Sequence, residues 1–218
     1  MKTIYILAIG LCFALAYATP VAAPAMSDEI IRDAYQKSYH YEKAQNYEDA
    51  IKAITPIITT FPQGYTVNLR LGWLYYLAGN YANARSYYQA AMKIAPASLE
   101  AKLGYTLPLL AQERYDEAEA ITKEIIRIDV SNYYANLRLA FALRMQKKYE
   151  AAEEVLNRIL PLYPTDVKFL SELGLVKTAE NQPEAARRIF SDVLTLDPEN
   201  IVAKAQLAEA GKSSDAKK

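Results

Sequence analysis

Residues 65–98 read YTVNLRLGWLYYLAGNYANARSYYQAAMKIAPAS, and this pattern returns, altered but aligned, from residues 99, 133 and 167. A fixed period of this kind is typical of a repeat architecture, because a single unit cannot bury its apolar faces without stacking on its neighbours. The sequence therefore predicts a stacked array of similar units. Five units are predicted over residues 31–64, 65–98, 99–132, 133–166 and 167–200, and residues 201–211 repeat only the first part of a unit.

Small residues and prolines recur at fixed places when Ile31 is counted as position 1 of the first unit. Position 8 is small throughout, which lets two helices approach closely, and position 32 is Pro in four of the five units, which stops a helix. These recurrences predict two antiparallel helices in each unit, at positions 1–14 and 17–30. Position 20 is invariant across the five units, as Ala50, Ala84, Ala118, Ala152 and Ala186.

These recurring residues resemble the tetratricopeptide repeat pattern over residues 31–200. In residues 65–98 the resemblance is carried by Leu71, Gly72, Tyr75, Ala84, Tyr88, Ala91 and Pro96. It implies an all-α fold, a right-handed α-solenoid of antiparallel helix pairs with five repeats and a C-terminal capping helix at residues 201–211. It also implies a protein that presents a binding surface and carries no chemistry of its own. We expect a disordered tail at residues 212–218, as is common at chain ends.

The first 18 residues have the pattern of a signal peptide. Lys2 is followed by an apolar run from Ile4 to Ala16, which is shorter than the roughly 20 residues that a membrane-spanning helix needs. We expect export with cleavage after Ala18, a periplasmic or secreted protein without stable membrane insertion after cleavage, and a flexible lead-in at residues 19–30. Cleavage after Ala25 and retention of the segment as an anchor remain open alternatives.

Composition argues against several classes of function. The 25 basic and 25 acidic residues balance, so the chain lacks the positive charge with which proteins bind nucleic acid. The only His is His40, and the only Cys, Cys12, lies inside the predicted signal peptide. We therefore predict no catalytic relay, no metal site, no cofactor and no enzymatic activity.

The predicted first helices carry a second, inward face at positions 2, 5, 9 and 12, with position 6 at its edge. This face is rich in Tyr, Trp and Arg, the residue types enriched at binding hot spots. We expect it to form a concave groove that binds another protein or peptide, although its apolar members could instead fill the seam between neighbouring helices. The predicted partner-binding residues are Arg32, Tyr35, Tyr39, Leu69, Arg70, Trp73, Tyr76, Tyr134, Arg138, Phe141 and Arg144.

Other ligands of such a groove stay open from the sequence. The aromatic rings also suit an envelope polysaccharide, and a homo-oligomer would form if the groove of one copy received the N-terminal segment or the last helix of another. A grip on a C-terminal carboxylate of the kind that some tetratricopeptide proteins use is not supported over the first three units. Arg70 is the only cation at the corresponding places, and Glu100 would repel an anion.

Overall fold

The computed structural model describes residues 26–215, with side chains described through Glu209. This part of the chain is all-helical, contains no strand, and packs its helices in consecutive pairs. The predicted signal peptide and its cleavage sites lie outside the described residues. The helices are α1 Asp28–Lys43, α2 Tyr47–Thr60, α3 Tyr65–Leu77, α4 Tyr81–Ile94, α5 Leu99–Ala111, α6 Tyr115–Ile128, α7 Tyr133–Met145, α8 Tyr149–Ile159, α9 Val167–Ala179, α10 Pro183–Leu196 and α11 Ile201–Asp215.

The two ends of the array extend further than the repeat period suggested. Helix α1 begins at Asp28, before Ile31, because the Ser27 side chain caps it by accepting the Ile30 N–H at 3.4 Å. Helix α11 continues to Asp215, beyond the predicted end at residue 211. No helix among the described residues is long and apolar enough to cross a bilayer.

The turn inside each unit is built the same way from different residues. Position 15 adopts a left-handed conformation in all five units, with φ between 57° and 74°, although only one of the five residues is a glycine. The stacking of the helices therefore imposes this turn on side chains that disfavour it. The five residues are Gln45, Gly79, Glu113, Lys147 and Asn181.

The core lies between the first and second helices of each unit and between neighbouring units. The invariant alanine at position 20 is at most 5% exposed in every unit, where a larger side chain would force the helices apart. The repeated Asn at position 4 ties each of two first helices to the turn before it. The amide of Asn68 donates to the carbonyls of Pro62 and Gly64, and Asn136 does the same for Val130 and Asn132.

Interior prolines have two different outcomes. Pro56 and Pro108 lie inside α2 and α5 without ending them. The prediction that Pro161 lies late in a second helix is wrong, since α8 ends at Ile159 and has 11 residues where the other second helices have 14. Leu160 keeps helical dihedral angles, with φ −57° and ψ −35°, but Pro161 lacks the N–H that would continue the helix, which accounts for this early end.

Candidate binding groove

The first helices of the first three units, α1, α3 and α5, line a mostly apolar cavity of about 750 Å³. We call this cavity the aromatic pocket, because five of its wall residues are Tyr or Trp. One of its residues, Tyr88, comes from the second helix α4. The wall consists of Tyr35, Tyr39, Glu42, Lys43, Tyr65, Thr66, Leu69, Arg70, Trp73, Tyr88, Glu100, Gly104 and Leu107.

One wall of the aromatic pocket is fixed by Arg70, which is only 6% exposed. Its Nε and Nη2 donate to the Ser38 hydroxyl at 3.1 and 3.0 Å, its Nη1 pairs with Glu42, and its guanidinium lies 3.8 Å from the centre of the Tyr39 ring. The second oxygen of Glu42 accepts the Trp73 indole N–H at 2.7 Å. Arg70 therefore holds α1 and α3 together and has little charge left for a partner.

The floor of the pocket is formed by Tyr88, whose ring passes between the backbones of α3 and α5. A Cβ built on Gly72 would lie 2.9 Å from the base of the ring, and one on Gly104 would overlap Cε1 and lie 2.6 Å from Cδ1. Only glycine at these two positions leaves room for the ring, and the hydroxyl end lies on the Gly104 side. Tyr88 lines the pocket and is 2% exposed, and its hydroxyl forms no hydrogen bond with the described residues, which leaves this hydroxyl unused as a donor. Burial raises the pKa of Tyr88 well above its usual range, which keeps this group protonated.

The rim carries one residue of each charge. The Tyr65 hydroxyl lies 2.7 Å from the Ser98 hydroxyl and donates to Glu100 at 3.2 Å, which positions this carboxylate at the edge of the pocket on α5. Lys43, at the end of α1, is exposed and forms no ion pair within the described residues. With Glu42 neutralised by Arg70, the pocket is polar at its rim and close to neutral overall.

The predicted partner-binding residues continue beyond the pocket on α7. Arg138 donates from Nη1 to the carbonyl of Leu103 at 2.6 Å and to the Thr106 hydroxyl at 2.9 Å, and it lies over the half-exposed ring of Tyr134, with 5.3 Å from Cζ to the ring centre. No described carboxylate pairs with it. Burial lowers the pKa of Arg138, as expected for a guanidinium partly withdrawn from water without a counter-ion.

The last residues of the predicted row are used inside the protein. Arg144 donates to both carboxylate oxygens of Glu172 on α9, and Phe141 packs edge-on against Tyr115 of α6 with ring centres 6.1 Å apart. These contacts indicate that Phe141 and Arg144 pack between neighbouring helices instead of facing a ligand. The row predicted from the sequence is therefore not one uniform binding surface.

The structure brings five of the eleven predicted binding residues together in the aromatic pocket, namely Tyr35, Tyr39, Leu69, Arg70 and Trp73. Tyr76 lies beside the pocket, with its ring 5.7 Å from that of Trp73, whereas Arg32 is exposed on α1 and does not line it. Sequence reasoning missed Lys43, Tyr65 and Tyr88. Tyr88 occupies a position whose side chain normally packs between the helices of the repeat. The only signal in the sequence that its ring reaches the groove is the pair of glycines Gly72 and Gly104.

Family models confirm the repeat. Two models, each described as a tetratricopeptide repeat, match residues 35–98 and residues 76–131 and 109–171, and together they span residues 35–171. The chain belongs to the tetratricopeptide repeat family. No curated protein matches this tetratricopeptide repeat protein significantly in sequence.

Solved structures of tetratricopeptide repeat proteins share the fold. The MamA protein of Desulfovibrio magneticus RS-1, from residue 41 onward, has a TM-score of 0.71 at 18% identity, covering 81% of this chain and 99% of that one. A thermophilic repeat protein of Thermus thermophilus has a TM-score of 0.65 at 14% identity over 82% and 97% of the two chains. A repeat protein of Parabacteroides merdae has a TM-score of 0.64 at 19% identity over 81% and 69%.

No group of three or more His, Cys, Asp or Glu side chains in the described residues is arranged to hold a metal ion. The groove offers aromatic surface, the Tyr88 hydroxyl and, on α7, the Arg138 guanidinium without a carboxylate partner. These features suit binding of a ligand that has both an apolar and a polar part.

Proposed function

We propose that this protein is a non-catalytic adaptor of the cell envelope that binds a segment of another protein in its concave groove, centred on the aromatic pocket. The observation that carries this proposal is the cavity of about 750 Å³ lined by Tyr35, Tyr39, Tyr65, Trp73 and Tyr88. Its volume lies within the few hundred to about 1,000 Å³ of typical ligand pockets. Export to the envelope rests on the pattern of residues 1–18.

The pocket is held in shape before a ligand arrives. The Arg70, Glu42 and Trp73 hydrogen bonds fix the α1–α3 wall, and the Tyr88 ring wedged at Gly104 fixes the floor. Rigid side chains lose little conformational entropy on binding, so a larger share of the contact energy contributes to affinity. Aromatic rings with polar ends also give large contact areas and orient a ligand through hydrogen bonds.

Site-specific photo-crosslinking in the native cell tests the proposal. A photo-reactive amino acid replaces Tyr39, which is 52% exposed on the pocket wall, and in a matched strain it replaces Ser86, which is exposed on the second helix α4. We expect a protein partner to be crosslinked from position 39 and not from position 86. Crosslinking from position 86 alone, or from neither position, would place the binding surface elsewhere.

Purified protein provides the second arm, because Trp73 is the only tryptophan in the chain and lines the pocket. The partner identified by crosslinking, added as a peptide, should change Trp73 fluorescence, and Leu107→Ala should weaken that response while Ile128→Ala, at a residue 66% exposed on α6, should not. Oligosaccharides of the envelope are titrated in parallel. A response to them and none to the peptide would favour the polysaccharide function instead.

A further inference from the structure

Two arginines of the predicted binding residues, Arg70 and Arg138, both stand at position 6 of their units, so their surroundings can be compared directly. Arg70 contacts Ser38, 32 residues earlier, and Glu42 on the same helix α1. Arg138 makes the equivalent contact with the hydroxyl of Thr106, also 32 residues earlier. Glu42 precedes Arg70 by 28 residues, and the residue that precedes Arg138 by 28 residues is Leu110. Arg138 therefore lacks the carboxylate that neutralises Arg70.

Arg144 shows that the missing carboxylate is particular to Arg138. Its guanidinium is paired with both oxygens of Glu172, at 2.5 and 3.3 Å. Of these three arginines, only Arg138 has neutral partners alone, namely a carbonyl and a hydroxyl. A charge partly withdrawn from water is unfavourable without a counter-ion, and a ligand carboxylate placed there would remove that cost.

Arg138 does not line the aromatic pocket but hydrogen bonds to the helix α5 that carries part of its wall. Arg138 hydrogen bonds to the carbonyl of Leu103, the residue next to Gly104, against which the hydroxyl end of Tyr88 lies. The positive charge of Arg138 also opposes the rise that burial causes in the pKa of Tyr88. A ligand that fills the pocket and extends along α5 toward α7 would meet the Tyr88 hydroxyl first and then the remaining N–H groups of Arg138.

We propose that the ligand is a peptide segment that carries an apolar or aromatic side chain for the pocket and, next to it, one carboxylate that pairs with Arg138. This inference rests on the proposed function, since it names the chemistry of the segment bound in the same groove. Glu100 on the pocket rim limits the number of acidic groups, because a second negative charge near it would be repelled. The segment is therefore acidic at one position rather than along its length.

The test selects short random peptides displayed on phage for binding to the full chain, with Trp73 fluorescence as the readout of groove binding. Selected peptides should be enriched in a single Asp or Glu beside an apolar residue. Replacing that acid by its amide should weaken binding about tenfold or more, and the acid-dependent part should decline as salt increases. Comparing amidated with free C-termini distinguishes a side-chain carboxylate from a terminal carboxylate. A peptide with phosphoserine in place of the acid distinguishes a carboxylate from a phosphate.

Two variants of this chain remove the free charge in different ways. Arg138→Gln deletes it, and Leu110→Glu supplies the carboxylate that Glu42 supplies to Arg70, so each should abolish the preference for acid over amide. Arg127→Gln, at an exposed residue of α6, changes the net charge in the same direction as Arg138→Gln and should leave the preference intact. Circular dichroism establishes that each variant keeps its helices.

The outcomes separate the two proposals. Peptides that bind in the groove with equal affinity as acid and amide, or a preference that survives both Arg138→Gln and Leu110→Glu, would overturn the acidic-segment inference alone. Selected peptides that lose the preference when their C-terminus is amidated, or that bind more tightly with phosphoserine in place of the acid, would also overturn it. A library that yields only peptides insensitive to Leu107→Ala, or no binder at all, would overturn the proposed function as well.

Discussion

Arg144 of α7 and Glu172 of α9 form an ion pair through two hydrogen bonds. The equivalent contact between the first two units is the Glu42–Arg70 pair, in which the acidic and basic residues have exchanged positions. In the N-terminal pair the carboxylate, Glu42, comes from position 12 and Arg70 from position 6, whereas Arg144 is at position 12 and Glu172 at position 6. Both separations are 28 residues. The contact between neighbouring first helices therefore accepts either orientation of the pair.

Breaking the Arg144–Glu172 pair should destabilise the C-terminal units. Glu172→Gln leaves a largely buried guanidinium unpaired, and we expect a loss of about 3 kcal/mol. The double exchange of Arg144→Glu with Glu172→Arg should recover most of it, though not all, because position 8 is Ala140 here and offers no hydroxyl equivalent to Ser38. Urea unfolding followed by circular dichroism measures the change; equal loss in the single and double variants would contradict this account.

Replacing Gly104 by any other residue should destabilise the protein. In Gly104→Ala the new methyl would overlap Cε1 of Tyr88, so either the ring or helix α5 must shift, at about 2 kcal/mol or more. The same change should move the Trp73 emission, since the pocket floor is displaced. Gly72→Ala, with its nearest ring atoms at 2.9 Å, is the milder comparison. A neutral Gly104→Ala would show that the ring is not wedged as described.

The left-handed turn residues give a prediction about the backbone alone. A Cβ on Gly79 would meet nothing within 4 Å, so Gly79→Ala should cost only the conformational penalty, about 1 kcal/mol. Glu113→Gly should stabilise slightly, by about 0.5 kcal/mol, because relief of the strain at φ 58° outweighs the added freedom of the unfolded chain. Thermal unfolding of both variants checks the opposite signs; a destabilising Glu113→Gly would mean that its side chain makes a contact of its own.

Acid should weaken the junction around Glu119. Burial opposes ionisation of this carboxyl, but hydrogen bonds from Lys123, Lys148 and Gln146 outweigh it and lower its pKa to about 2, from 4.5. A depressed pKa in the folded state contributes stability above pH 4.5 that is lost as the pH falls toward 2. The contribution is about 2 kcal/mol after allowance for the exposed lysines.

The matched variant for this pH dependence is Glu119→Gln. It should unfold more easily at pH 7 and lose less stability than the wild type between pH 4.5 and 2, so that the two proteins converge in acid. Urea midpoints at several pH values measure the difference. Parallel curves for the two proteins would show that the ionisation of Glu119 is not linked to folding.

The period in the sequence predicted much of the fold for a definite reason. The invariant Ala at position 20 and the small residues at position 8 allow close helix contacts only if every unit repeats the same pair of helices. The spacing therefore predicted the first residues of four helices, Tyr65, Leu99, Tyr133 and Val167. The composition of the inner face likewise predicted aromatic residues in the groove. Pro161 was placed wrongly because a period averages over units and does not report where one helix stops early.

What only the tertiary structure decided is which inner side chains remain available to a ligand. Arg70, Arg138 and Arg144 look alike in sequence, but each depends on the residue that faces it from the neighbouring first helix: Glu42 and Glu172 neutralise two of them, and Leu110 leaves the third without a carboxylate. Tyr88 likewise reads as packing until the gap at Gly104 admits its ring. The sequence by itself determined the repeat, because packing needs recur along the chain; the binding surface depends on contacts between helices, which only the stacking brings together.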